Sequence, residues 1–266
     1  MKLKNKILLF VAVAFLAGTQ ACVGPFFNDT ACITGRGEIV TDTAEIATFN
    51  SIVNETVVDL EIMQGNSQLV IVEGHENMID ELELKVSKGE LTVDLVKGCY
   101  NNVKLKVYIT IPNLEAVTVE STGDVKMGGF NNLQSLYIGV KSTGDLKCEG
   151  TLIVDKTLEI ESESTGSILL NTLTDEVLTY MSGTGNVTIG GSCNSQTVEL
   201  SSTGSYRGFD LDSETCEVRN SGVGDAKVYV TDQLDVRISS VGSVYYMGDP
   251  TVSVTDTGVG DLVHIE

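Results

Sequence analysis

A glycine recurs along the C-terminal half of the chain, at Gly123, Gly144, Gly166, Gly185, Gly204, Gly224, Gly242 and Gly260, at intervals of 18 to 22 residues. Its neighbours recur with it. Two positions earlier stand Ser121, Ser142, Ser164, Gly183, Ser202, Gly222, Ser240 and Gly258, all small. One position earlier stand Thr122, Thr143, Thr165, Thr184, Thr203, Val223, Val241 and Val259, all β-branched. One position later come Asp124, Asp145, Ser167, Asn186, Ser205, Asp225, Ser243 and Asp261, short polar side chains that bond to nearby backbone in turns. The same residue class at the same offset eight times is the mark of a repeat architecture.

Farther from the glycine the pattern alternates with period 2, as in strands with one buried face. Six positions before it lie Val117, Ile138, Ile160, Thr179, Val198, Val218, Val236 and Val254. Two positions after it lie Val125, Leu146, Ile168, Val187, Tyr206, Ala226, Val244 and Leu262. Charged residues such as Lys126, Lys147, Glu159, Glu199, Arg219 and Arg237 fall mostly at the alternate positions. Two short strands around a glycine corner cannot bury their apolar face alone, so successive units must stack on one another. The expectation is an all-β, right-handed parallel β-solenoid of roughly eight coils of ~20 residues over 116–266. Its corner glycines would supply permissive backbone geometry. An antiparallel sandwich explains the alternation but not the fixed offsets.

Composition agrees: 27 Gly, only 3 Pro, no Trp, and 42% hydrophobic residues, enough for a continuous core. Over 36–115 the repeat is absent, and strand-like runs at 58–63, 68–73, 82–86, 91–95 and 103–109 are separated by turn signals such as Gln64-Gly65-Asn66 and Lys88-Gly89. A short helical turn is expected within 78–84. This N-terminal β-rich part would cap the first coil, whose open edge would otherwise aggregate.

Residues 1–21 read as a secretory signal peptide: Lys2, Lys4 and Lys6, then the apolar run Ile7 to Ala17, then small and polar residues. Cys22 follows directly. It resembles the lipid-modified cysteine of bacterial lipoproteins, although Thr19 stands where an aliphatic residue is usual, and ordinary cleavage after Ala21 is the alternative. Residues 22–35 would then be anchor and linker, with a lipid on Cys22 holding the chain to a membrane.

Without the signal peptide, 14 basic residues face 37 acidic ones, a net charge of about −23. Such a surface repels phosphate backbones, which excludes nucleic acid as a partner. Five further cysteines, Cys32, Cys99, Cys148, Cys193 and Cys216, cannot all pair within the chain. Cys32 and Cys99 flank the N-terminal part and are candidates for a disulfide in an oxidising compartment. Cys148 and Cys216 fall in apolar lanes and read as buried small hydrophobes.

The order of several signals is similar to one family. These are Gly35-Arg36-Gly37, Phe49, Ile52, Gln64-Gly65, Val72-Glu73-Gly74, Lys88-Gly89-Glu90-Leu91, Ile111-Pro112-Asn113-Leu114, the Ser-Thr-Gly-Asp units, and the closing Gly242-Ser243-Val244-Tyr245-Tyr246-Met247-Gly248-Asp249-Pro250. Together they resemble the auto-transporter adhesin, head GIN domain proteins of Bacteroidetes-type bacteria. The resemblance spans about Gly35 to Glu266 and implies a secreted or lipid-anchored all-β protein with a β-helical body. After Cys22 the chain runs Val23-Gly24-Pro25-Phe26-Phe27, without the acidic run that marks surface export in that lineage. The cell surface and the periplasmic face of the outer membrane both stay open.

Catalytic constellations are scarce. His75 lies beside carboxylates and reads as a solvated loop residue, and His264 sits in the lane that ends the core. The Asp lane at the corners could hold Ca²⁺, but Ser167, Asn186, Ser205 and Ser243 interrupt it. An outward Thr lane suits ice binding, yet coil length varies and the lane turns to Val. No Cys-x-x-Cys pair, phosphate loop or nucleophile elbow occurs. The expectation is a non-enzymatic envelope protein without metal or cofactor, an adhesin or structural surface-binding module with a protein or glycan ligand at the cell surface. The enzyme alternative is a polysaccharide-binding or polysaccharide-cleaving β-helix, with Tyr180, Tyr206, Tyr229, Tyr245 or Tyr246 as the sugar platform. Function is expected on the outward positions and the irregular N-terminal part.

Overall fold

The computed structural model describes residues 32–256 and 258–266; among them the strands are β1 (Ile33–Thr34), β2 (Ile39–Thr43), β3 (Ser51–Asn54), β4 (Asp59–Gln64), β5 (Leu69–His75), β6 (Leu82–Ser87), β7 (Glu90–Leu95), β8 (Tyr100–Asn101), β9 (Leu105–Ile111) and β10 (Ala116–Val119). There follow β11 (Val125–Met127), β12 (Phe130–Val140), β13 (Leu146–Ser162), β14 (Ile168–Met181), β15 (Val187–Leu200), β16 (Tyr206–Asn220), β17 (Ala226–Ile238), β18 (Val244–Met247), β19 (Thr251–Asp256) and β20 (Leu262–His264). One helical turn, α1 (Glu76–Ile79), separates β5 from β6, slightly earlier than the sequence suggests.

The chain is a β-solenoid of about seven turns, 64% strand and 2% helix. Eight glycine corners bound seven intervals, which accounts for the difference from the eight coils expected. From β12 onward each coil pairs in parallel with the next, and the register is the one the lanes imply. Val117 faces Ile138, Ile138 faces Ile160, Ile160 faces Thr179, Thr179 faces Val198, and Val198 faces Val218. On the other side of each corner, Val125, Leu146, Ile168, Val187, Tyr206, Ala226, Val244 and Leu262 pair in sequence. These lanes are buried until the last coil, where Val254 is exposed. Each fully buried Val, Leu or Ile contributes roughly 1.5–3 kcal/mol, so the stacked lanes hold the rod together.

Each coil can be divided into three faces about the glycine corner, and shifts of register interrupt most of the long coil-to-coil pairings, though not that of β14 with β15. A first face follows the glycine corner (β11 and the starts of β13 to β17, then β18 and β20). The third precedes it (β10, the ends of β12 to β17, then β19), and a second joins the two. The sheet runs unbroken from residue 115 to 116, because β3 and β4 pair in parallel with β10 and β11. Below them β7 pairs with β3, and β9 with β4, again in parallel. Only then does the direction reverse: β6 runs antiparallel to β7, β5 to β9, and β2 to β5. An antiparallel strand cannot template another coil in register, which closes this end of the stack. Met78 of α1 is fully buried in the same cluster.

Candidate functional surface

The repeated corner must be understood before any surface can be assigned, since its polar residues are the most conspicuous in the chain. The corner glycines form a column. A Cβ on Gly144 would lie 2.3 Å from the carbonyl oxygen of Gly123; on Gly185, 1.9 Å from that of Gly166; on Gly204, 1.9 Å from that of Gly185; on Gly224, 1.9 Å from that of Gly204. Gly166, Gly242 and Gly260 meet the preceding glycine's oxygen at 2.1, 2.1 and 2.2 Å. None of the eight has a positive φ, so the reason for glycine is close approach between coils and not, as expected from sequence, permissive dihedral geometry.

The turn-forming residue after the glycine is equally committed. Asp124 Oδ1 accepts from Asp145 N–H (2.9 Å), Asp145 Oδ1 from Ser167 N–H (2.7 Å), Ser167 Oγ from Asn186 N–H (3.4 Å), and Asn186 Oδ1 from Ser205 N–H (3.1 Å). The ladder continues through Ser205 to Asp225, Asp225 to Ser243 and Ser243 to Asp261. Aspartate, asparagine and serine interchange here because each offers a short-armed oxygen acceptor to the next coil's backbone. Among the described residues no group of three His, Cys, Asp or Glu side chains converges to hold an ion.

Two buried asparagines brace corners from inside. Asn54 Nδ2 donates to Val58 O (2.9 Å) while its Oδ1 accepts from Thr56 N–H (3.2 Å); Asn220 does the same with Gly224 O (2.9 Å) and Gly222 N–H (3.0 Å). Inside the core, Tyr206 OH donates to Gln196 Oε1 (2.9 Å), Gln196 Nε2 to Ser213 Oγ (2.8 Å), and Ser213 Oγ to Tyr229 O (2.7 Å). Burial holds the Tyr206 phenol and the Cys216 thiol well above their ordinary values, and burial followed by the Asp212 charge pushes Cys193 up to about 12. Cys148 is raised by burial too. These thiols are neutral and enclosed, the opposite of an activated nucleophile.

Cys32 and Cys99 are joined by a disulfide with a Cα–Cα distance of 4.5 Å, beside the two-stranded pairing of β1 with β8. Cys22 and the whole of 1–31 lie outside the described residues. His75 is a correction. It ends β5 with 8% exposure, its Nδ1 lies 3.0 Å from Gly37 O, and its Cδ2 is 2.8 Å from where Gly35 would carry a Cβ. The N-terminal segment folding over it, invisible in the local sequence, removes it from solvent. His264 keeps to the lane, stacked on Tyr246 at 4.7 Å between centroids, but is exposed, with Nε2 2.9 Å from Gly248 O.

With corners and core accounted for, the outward side chains remain. The third face is rich in carboxylates, with Arg219 bridging Glu199 and Glu217 and Tyr137 OH donating to Glu161. The outward lane of the first face is different: Lys126, Lys147, Leu169, Thr188, Arg207, Lys227, Tyr245 and Val263 lie in register, four cations and no carboxylate. Lys227 Nζ lies 5.8 Å from the Phe209 ring centroid and 6.0 Å from that of Tyr245. Sequence reasoning missed this lane, although the third position after each glycine carries the signal.

The stacked coils and their outward lanes define a class: a β-solenoid that offers surfaces. The chain belongs to the family described as "Putative auto-transporter adhesin, head GIN domain", whose model matches residues 48–250. No curated protein matches the chain. Similar crystal structures include a "putative adhesin" from Parabacteroides distasonis (21% identity, 88% of this chain and 99% of that one, TM-score 0.79) and one from Bacteroides fragilis (23%, 88% and 100%, 0.68). A "putative lipid binding protein" from Parabacteroides distasonis is similar as well (19%, 88% and 99%, 0.74). At these identities the likeness establishes the fold.

Proposed function

We propose that this protein is an exported, envelope-anchored, non-enzymatic binding module that uses the outer faces of its solenoid to engage a ligand at the cell surface. The observation that carries the reading is the commitment of the residue after each corner glycine to the coil-to-coil ladder, which leaves the outward lanes, with the exposed Thr and Val before the glycines, as the side chains free to contact another molecule. Membership of an adhesin family supports it, as do the raised thiols of Cys193 and Cys216, which are not activated as nucleophiles. Anchoring would come from a lipid on Cys22 after removal of 1–21. Among the described residues no helix is long and apolar enough to cross a membrane.

Three experiments test this reading. Cells producing the chain, compared with cells lacking it, should gain saturable adhesion to host matrix proteins or glycans. Hydrolysis or β-elimination of a glycan by the purified chain would overturn the non-enzymatic part. Metabolic labelling with a fatty-acid analogue should mark the wild type and not Cys22→Ala, and equal labelling of both would overturn the anchor.

A further inference from the structure

We infer that the first-face surface spanning β16, β17 and β18 binds an acidic saccharide chain, one carrying carboxylates along a sugar backbone. This rests on the surface-binding reading above and names its ligand class. Arg207, Lys227 and Tyr245 are register neighbours on three successive coils. Phe209 and Tyr229 stand two residues farther along their strands, both partly exposed, Tyr229 between buried Val228 and Val230 and Phe209 between buried Gly208 and exposed Asp210. Lys227 lies between two aromatic rings, 5.8 Å from one and 6.0 Å from the other.

Three physical points select the ligand. First, neither Arg207 nor Lys227 has a carboxylate partner among the described residues; other cations such as Lys126 and Arg237 share that lack, but Arg207 and Lys227 are the two that stand as direct register neighbours. In a chain of net charge −20, unpaired cations side by side call for an external anion. The planar Arg207 guanidinium suits a carboxylate in a bidentate fork, and Lys227 offers a second point charge one coil away, about 4.8 Å along the stack. Second, partly exposed rings beside those cations supply faces for the apolar side of a sugar, which a bare anion would not use. Third, the competing ligands fit poorly. Dense polyanions such as nucleic acids are repelled by the overall charge. An acidic peptide cannot add as a strand here, because this face lies within the sheet and its backbone groups are already paired with neighbouring coils.

The test is calorimetric titration of the full chain with hexagalacturonate, its fully methyl-esterified counterpart, and a hexaglutamate peptide. The acid form should bind, with the ester and the peptide each at least about tenfold weaker, and added salt should weaken the acid form. Arg207→Gln and Lys227→Gln should each reduce binding of the acid form about tenfold, whereas Tyr245→Ala should weaken acid and ester alike. Arg237→Gln, on the third face, should change nothing. Equal affinity for acid and ester, equal affinity for the peptide, absence of binding to the acid form, or full binding by an Arg207→Gln/Lys227→Gln double variant would each overturn the assignment. Cell adhesion separates this failure from that of the broader reading. Adhesion that survives in the double variant would remove this face and leave the surface-binding module standing, while a wild type that confers none would remove both.

Discussion

Gly204→Ala is expected to destabilise the solenoid out of proportion to a single methyl group. Its Cβ would fall 1.9 Å from the Gly185 carbonyl oxygen and 2.8 Å from the carbonyl carbon, against a floor near 3.0 Å for real Cβ contacts. Coil 206–220 must then rise from coil 187–200 at this corner by at least about 1.1 Å. The atoms in the way are backbone, so no side chain can rotate aside. That displacement stretches two 3.1 Å bonds beyond range, Thr203 N–H to Gly183 O and Ser205 N–H to Asn186 Oδ1. Overpacking strain of about 1–3 kcal/mol plus two hydrogen bonds at about 1 kcal/mol each gives a loss of about 4 kcal/mol. Gly128→Ala is the control: its nearest neighbour is the Ile62 oxygen at 3.8 Å, and it should stay within about 0.5 kcal/mol of wild type. Guanidinium unfolding followed by far-UV circular dichroism, extrapolated linearly to water, measures both. If Gly204→Ala lies within about 1 kcal/mol of wild type, or Gly128→Ala costs as much, the close-approach account of the column is wrong.

Other outcomes follow from the same geometry. Asp145→Ala should cost about 1 kcal/mol in the same unfolding assay, because Ser167 N–H loses its acceptor, while Asp145→Asn should cost under about 0.5 kcal/mol since an oxygen remains; equal losses would refute the ladder. Reducing the Cys32–Cys99 bond, which closes a 67-residue separation, should lower stability by about 4 kcal/mol on the chain-entropy account, with no effect of reductant on Cys99→Ser. Cys148, Cys193 and Cys216 should resist thiol reagents until the chain unfolds, each labelling at the unfolding rate. Because burial raises the folded-state pKa of Cys193 to about 12, the unfolded chain loses that proton first as pH rises. Its contribution is therefore intact below about pH 8.5 and should decline between there and about 12, and Cys193→Ala should flatten that decline.

How much was legible beforehand can be seen residue by residue. The lanes through Val117 and Val125 gave coil length, parallel register and buried face, because a period-2 pattern locked to a fixed corner admits one stacking solution. The polar corner reads in the sequence as a turn that bonds nearby backbone, which is part of its role. The sequence shows that the residue after the glycine is always an acceptor, not that the donor is the next coil's backbone. Tyr206 was legible as a core residue, but its chain of bonds to Gln196 and Ser213 joins positions 10 and 17 residues apart whose lanes meet only inside the coil.

By itself, the sequence determined that this chain stacks: a glycine every 18 to 22 residues with fixed neighbours leaves an apolar face that only another coil can cover. Tertiary structure alone decided three things. The glycines are required by contact between coils, since the separation of two backbones is not a property of either segment. The stack stops at antiparallel strands and at α1, with His75 enclosed, because reversal of direction depends on segments distant in sequence coming together. And Arg207, Lys227 and Tyr245 share one surface because register, set by the buried lanes, carries these outward positions into line, with Phe209 brought beside Lys227 at a break in that register.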